Sequence, residues 1–234
     1  MQQKQFIKTS LRLFLNEQNT QIKENWFHGT PDAREVEKEG GFTHRTITVE
    51  YIKDPLAFKE LEGNMNMARQ NGDEKLYFKL LDKISSFKET YSYNKPLFLS
   101  DNYSVAKTYA DPNRAYDYQN AKEKVFEVDV DCSKIVKIVA TGDRFRFIGI
   151  DKVKRGFINA GVTEEVIDKL IMMFNFFDYN NNGMKTDNIG AIGSWLKFDC
   201  IDIVGVLDSY RGGSTKSTIK MVLDPTKVTI KNNI

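Results

Sequence analysis

An α+β fold follows from three features of the sequence. Strand-like and helix-like runs do not alternate regularly, which disfavours a doubly wound parallel sheet. The 234 residues are 41% hydrophobic and 12% aromatic, enough for a sizeable core. No repeat, low-complexity tract or Pro/Gly/Ser linker divides the chain, so one domain over 1–234 is the economical count.

The elements follow in order. Phe6, Ile7, Leu11, Leu13, Phe14 and Leu15 recur at roughly helical spacing, giving an amphipathic N-terminal helix over 3–18 within a 1–20 leading segment. A short strand is expected at 25–30. Pro31 then suits the first turn of a helix over 32–39, which Gly40 and Gly41 end. A helical insert over 54–93 reads as two helices broken at Asn71-Gly72-Asp73, the second carrying Leu76, Phe78, Leu80, Leu81, Ile84 and Phe87. A strand at 96–99 leads to an N-cap candidate at Asp101 and a helix through Ala110. Strands are expected at 125–130, 134–139 and 145–150, a helix at 163–177, and closing strands at 201–207, 219–223 and 227–230.

Composition excludes several classes of function. The 34 basic and 32 acidic residues leave a net charge of +2 with no basic block, so a nucleic-acid grip is not indicated. No stretch reaches 18 consecutive apolar residues and the N-terminus lacks a signal-peptide pattern, so the expectation is a cytoplasmic protein with no membrane span. Cys132 and Cys200 are the only cysteines. They form no CxxC, and Cys200, in an apolar run, reads as a buried reduced thiol. No HExxH or Cys/His cluster suggests a catalytic metal, and no GxGxxG or P-loop pattern suggests those nucleotide folds. Asp178-Tyr179-Asn180-Asn181-Asn182-Gly183 matches the first half of a calcium loop. Its twelfth position is Ile189 rather than glutamate and its eighth is Lys185, so an Asn/Gly-rich turn is the better reading.

Three distant segments carry chemistry. The first is Trp26-Phe27-His28-Gly29-Thr30, a strand ending in His-Gly-Thr. The second, PLFLSDNYSVAKTYA over 96–110, runs a strand into a helix with Phe98 and Tyr109 eleven residues apart, so both rings can face one slot and stack on a flat ligand. The third, Ser217 to Pro225, is a strand that closes on Asp224-Pro225.

Together these segments resemble the ADP-ribosyltransferase superfamily, in its poly(ADP-ribose)-polymerase and diphtheria-toxin-like branch. The resemblance covers about 24–47, 95–150 and 198–231, and implies a split antiparallel sheet that binds NAD as substrate. It implies that His28 contacts a ribose hydroxyl, that the Gly29 backbone holds the nicotinamide carboxamide, and that Thr30 is the small hydroxyl beside them. Phe98 and Tyr109 would sandwich the nicotinamide ring, Phe98 standing where the family has tyrosine. The family's catalytic glutamate lies five residues before the Asp-Pro turn, and that position is Ile219 here. The chain thus reads His–Phe–Ile against His–Tyr–Glu. This implies mono-ADP-ribosylation of a protein or other macromolecular acceptor rather than polymer synthesis. Without the glutamate the acceptor needs its own base, either a substrate carboxylate or an acidic residue elsewhere, with Asp202 and Asp208 nearby candidates in sequence. The alternative is a catalytically inactive module that binds NAD or ADP-ribose, or an interaction protein on the same fold.

Overall fold

The computed structural model describes residues 25–111, 123–176, 182–208 and 215–233. The expected N-terminal helix and most of the calcium-loop-like turn lie outside them. Among the described residues there are seven α-helices and eleven strands.

Seven strands form one sheet in the order β11-β5-β1-β4-β10-β9-β6. Its members are β1 (Trp26–Thr30), β4 (Leu97–Ser100), β5 (Lys124–Val130), β6 (Ile135–Val139), β9 (Cys200–Asp208), β10 (Thr215–Val222) and β11 (Val228–Asn233). All neighbours run antiparallel except β6 beside β9. The chain is therefore α+β with a mostly antiparallel sheet, as its irregular element order implies. One junction is weak. β1 meets β4 through a single register pair, Phe27 opposite Ser100, whereas β1 meets β5 through five.

Alternation along the strands separates two apolar layers. On one face Ile203, Ile219, Met221, Val136 and Ile138 pack beneath α5 (Ile150–Asn159), α6 (Glu164–Phe174) and α7 (Thr186–Trp195). On the other face Trp26, Leu99, Phe126, Val128, Cys200 and Val222 form a smaller core, with Ala33 just before α1 (Arg34–Glu39) and with Phe42 against it. The short helix α4 (Tyr103–Ala110) covers β1 and β5 through Ala106, Ala110 and Val125. Asn102 starts α4, its side chain accepting from the Ser104 and Val105 amides. The expected cap, Asp101, instead accepts from the Thr218 amide and ties the helix entry to β10.

The insert departs from expectation in its last third. Helix α2 (Pro55–Gln70) buries Phe58, Leu61, Met65 and Ala68 along one stripe, and α3 (Glu74–Leu81) follows a turn capped by Asp73. The chain then makes a 3₁₀ turn at Ile84–Phe87 and becomes β3 (Lys88–Asn94), not helix. Tyr91 and Tyr93 point inward while Thr90 and Ser92 point out, and β3 pairs with β2 (Thr46–Ile52) over seven residues. Alternating β-formers beside an available edge outweigh the apparent helical period. The apolar markers of α3, Leu76, Phe78 and Leu81, are exposed.

Two further expectations are corrected. The strand expected at 145–150 shrinks to β7 (Phe147–Gly149), paired with β8 (Gly183–Lys185), and Ile150 already begins α5. Cys132 and Cys200 are joined as a disulfide with Cα atoms 6.0 Å apart. Cys200 is fully buried, as expected, but it is not a free thiol. Because β6 pairs with β9 with Ile135 opposite Cys200, the turn before β6 lies against the start of β9. That proximity is invisible in a separation of 68 residues. No helix among the described residues is long and apolar enough to cross a membrane.

Candidate functional site

The site grows from the weak junction between β1 and β4. Past the Phe27–Ser100 pair the two strands form no further ladder pairs, and His28 bridges the gap. Its Nδ1 lies 3.0 Å from the Phe98 carbonyl oxygen. A carbonyl can only accept, so the proton sits on Nδ1 and Nε2 is left with a lone pair. Burial lowers the His28 pKa below the ordinary value of 6.5, and the bond to Phe98 opposes this only in part, so the ring is neutral at pH 7. Phe42 meets the imidazole edge-to-face at 4.9 Å and itself leans on the buried Phe126. The ring is thus held from the side as well as from its nitrogen.

Gly29 is required by a close approach rather than by a turn. A Cβ there would come within 1.8 Å of the Ala106 carbonyl oxygen, so only glycine lets α4 lie directly on β1. This packing carries Tyr109, one turn further along α4, over the end of β1. The strand and helix then enclose a cavity with about 150 Å³ of space for water. Phe27, His28, Gly29, Phe98, Tyr109 and Ile219 are among its walls, together with Leu99, Ser100, Ala106 and Phe145.

Five of the six residues singled out in the sequence therefore line one cavity. Thr30 does not. Its hydroxyl donates to the Asp32 carbonyl at 2.9 Å, and it belongs to a second cavity of about 260 Å³. That second space is bordered by Thr30, Asp32, Phe42, Arg45 and Lys95, and it shares His28 and Phe98 with the first. Both cavities border the gap between β1 and β4, where His28 and Phe98 belong to each. They differ in chemistry, the first aromatic and the second carrying two cationic side chains. Asp32 is engaged by a bidentate contact from Arg34, which holds its carboxyl below the usual carboxylate range.

Ile219 sits where the last strand faces the cavity, 3% exposed and directly opposite Ser100. A β-bulge aims it there. Between Ser217–Val206 and Ile219–Ile203 the β9 strand carries one extra residue, and Gly205 in that stretch has φ +72°. Among the described residues no carboxylate lines the aromatic cavity. Asp202 lies on the other face of the sheet, ion-paired at 2.5 Å to Lys220, whose ammonium sits 4.6 Å from the centre of the Trp26 ring. Asp208 ends β9 opposite Thr215, with Leu207 rather than Asp208 tied to the segment that carries Phe145.

The sequence reading missed Phe145. The residue belongs to a run expected as strand and follows Tyr109 by thirty-six positions, so no spacing linked it to the other aromatics. Its ring lies 5.2 Å from that of Phe98 and at 87° to it. Among the described residues no group of three or more His, Cys, Asp or Glu is placed to hold a metal ion. Comparison of the chain with protein-family models, with curated proteins and with solved structures found no match.

Proposed function

We propose that this chain binds NAD⁺ across the β1–β4 gap and is a mono-ADP-ribosyltransferase-like protein. The observation that carries the reading is the position of His28 and Phe98, which form walls of both cavities at once. NAD⁺ has the matching bipartite form, a flat pyridinium ring at one end and a diphosphate in the middle. The nicotinamide ring would enter the aromatic cavity between Phe98 and Tyr109. The diphosphate would pass toward Arg45 and Lys95. The His28 Nε2 lone pair would accept from a ribose hydroxyl.

In the transfer, the bond between the nicotinamide nitrogen and ribose C1′ breaks. Its electron pair stays with nicotinamide, which leaves neutral, and the ribose gains oxocarbenium character. The acceptor's lone pair forms the new bond to C1′. This chain's contribution is positioning and exclusion of water. Ile219 cannot withdraw a proton from an alcohol or water, so an acceptor carboxylate, which needs no deprotonation at pH 7, is the favoured nucleophile.

Ile219, standing where the resemblance places a glutamate, also favours a second reading, a module that binds NAD⁺ without turnover. Isotope-labelled NAD⁺ incubated with and without cell lysate separates the two, with nicotinamide release and labelled protein followed by mass spectrometry. The expected result is little release without lysate and single ADP-ribose units on acidic side chains with it. Fast release without lysate, or polymer chains, would sink the transferase assignment as drawn. Binding without turnover in either condition would establish the module instead.

A further inference from the structure

We propose that Phe145 sets the size of the ring that the aromatic cavity admits, accepting one six-membered ring and excluding a fused bicycle. The inference rests on the ring-binding reading above. Phe145 closes the same cavity as Phe98 and Tyr109, standing at 87° to Phe98 with centroids 5.2 Å apart. A ring that stacks on Phe98 and extends sideways therefore meets Phe145 rather than solvent.

A wall selects by size only if it cannot retreat, and the backbone around Phe145 is tied on both sides. The Phe145 amide donates to the Leu207 carbonyl at 3.3 Å, and the Leu207 amide donates to the Asp143 carbonyl at 2.8 Å. The Asp143 carboxylate accepts from the Gly149 amide at 2.9 Å and from the Lys152 ammonium at 2.7 Å. Arg144 forms isolated bridges to both Leu207 and Phe147. Within this clamp Arg144, Arg146 and Phe147 are exposed and the intervening Phe145 turns inward, half-buried. The ring is thus presented from a fixed turn at the end of β9. On the floor, Ile219 and Ser100 are each 3% exposed and offer no room below. The two floor residues, so deeply buried, yield little to an added ring, and the clamp keeps the Phe145 backbone from moving outward.

The test uses benzamide as a single-ring probe and naphthalene-2-carboxamide as a fused-ring probe carrying the same primary amide. Their Kd values are measured by calorimetry on the full chain, wild type and Phe145→Ala, with NAD⁺ measured alongside. Wild type should prefer benzamide by tenfold or more, and Phe145→Ala should reduce that preference at least tenfold, chiefly by admitting the fused ring. Phe145→Leu, which keeps part of the volume, should shift the ratio in the same direction by less and serves if the alanine variant fails to fold. An unchanged ratio in a folded variant, or a wild type that prefers the fused ring, overturns the role of Phe145 while leaving NAD⁺ binding standing. A wild type that binds neither probe nor NAD⁺ overturns the ring-binding reading and this inference with it.

Discussion

His28 joins two properties that are usually separate, a fixed tautomer and a depressed pKa. The Phe98 carbonyl demands a proton on Nδ1, and burial resists a second proton on Nε2. Nε2 is consequently an acceptor throughout the neutral range. The linkage follows from the direction of the shift. Because the folded-state pKa lies below 6.5, the neutral ring's contribution to stability is fully present above pH 6.5 and is lost as pH falls through the lower folded value. NAD⁺ affinity is expected to fall in the same window, since protonation removes the acceptor and adds a charge. A Kd that stays flat as pH drops through this range, while the fold persists, would remove His28 from the site. His28→Ala should weaken NAD⁺ binding by about tenfold or more, the loss of one buried hydrogen bond. Unaltered circular dichroism would show that the fold is intact. The residues that converge here were legible to unequal degrees. His28, Phe98, Tyr109 and Ile219 could be read from motif and spacing because each belongs to a short local pattern: His-Gly-Thr, the eleven-residue interval from Phe98 to Tyr109, and the count back from Asp224-Pro225. Phe145 could not, since its place depends on where the end of β9 meets a loop from β6, a long-range contact with no local period.

At the scale of the element, the contact between β1 and α4 decides whether the cavity exists. Gly29 allows it, and the obstacle to a larger residue there is the Ala106 and Ala110 backbone, which cannot rotate away. Gly29→Ala should destabilise the fold by about 1–3 kcal/mol through overpacking, measurable by urea denaturation. Its effect on binding should exceed that, because pushing α4 outward carries Tyr109 with it. If the variant binds NAD⁺ like wild type, α4 does not position the ring slot. The elements themselves were legible where helical periodicity was sustained, as in α2, α4 and α6, although the cap of α4 is Asn102 rather than Asp101 and Thr163 makes no side-chain cap hydrogen bond before α6. They were misread where tertiary pairing decided, as in β3, whose Tyr91 and Tyr93 pack beneath the sheet's helical layer only because β2 is there to pair. The brief β7 and β8 strands are too short to carry a periodic signal, and α5 was hidden by its β-like opening residues.

For the molecule as a whole, the seven strands divide into a block of three, β11-β5-β1, and a block of four, β4-β10-β9-β6. One backbone register pair, Phe27 with Ser100, and one imidazole are the cross-sheet links that the ladder and His28 provide between them. Within each block the ladders are long, with seven pairs between β10 and β9 and five between β5 and β11. Opening along this seam breaks few hydrogen bonds, so it should be the lowest-energy cooperative fluctuation of the sheet. A molecule lying across the seam adds links between two units that the backbone ladder joins thinly and that side-chain packing, such as Trp26 against Leu99 and Val222, otherwise holds together. At a hundredfold excess over Kd, NAD⁺ should stabilise the chain by about 2.7 kcal/mol. Hydrogen exchange should show where that energy goes. Amides at 26–30 and 97–100 should slow markedly, those between β6 and β9 hardly at all, and uniform slowing would mean that occupancy is not felt at the seam. The ligand would then be less a guest in a preformed hole than the missing stretch of ladder, and the sheet would be mechanically complete only while it is bound.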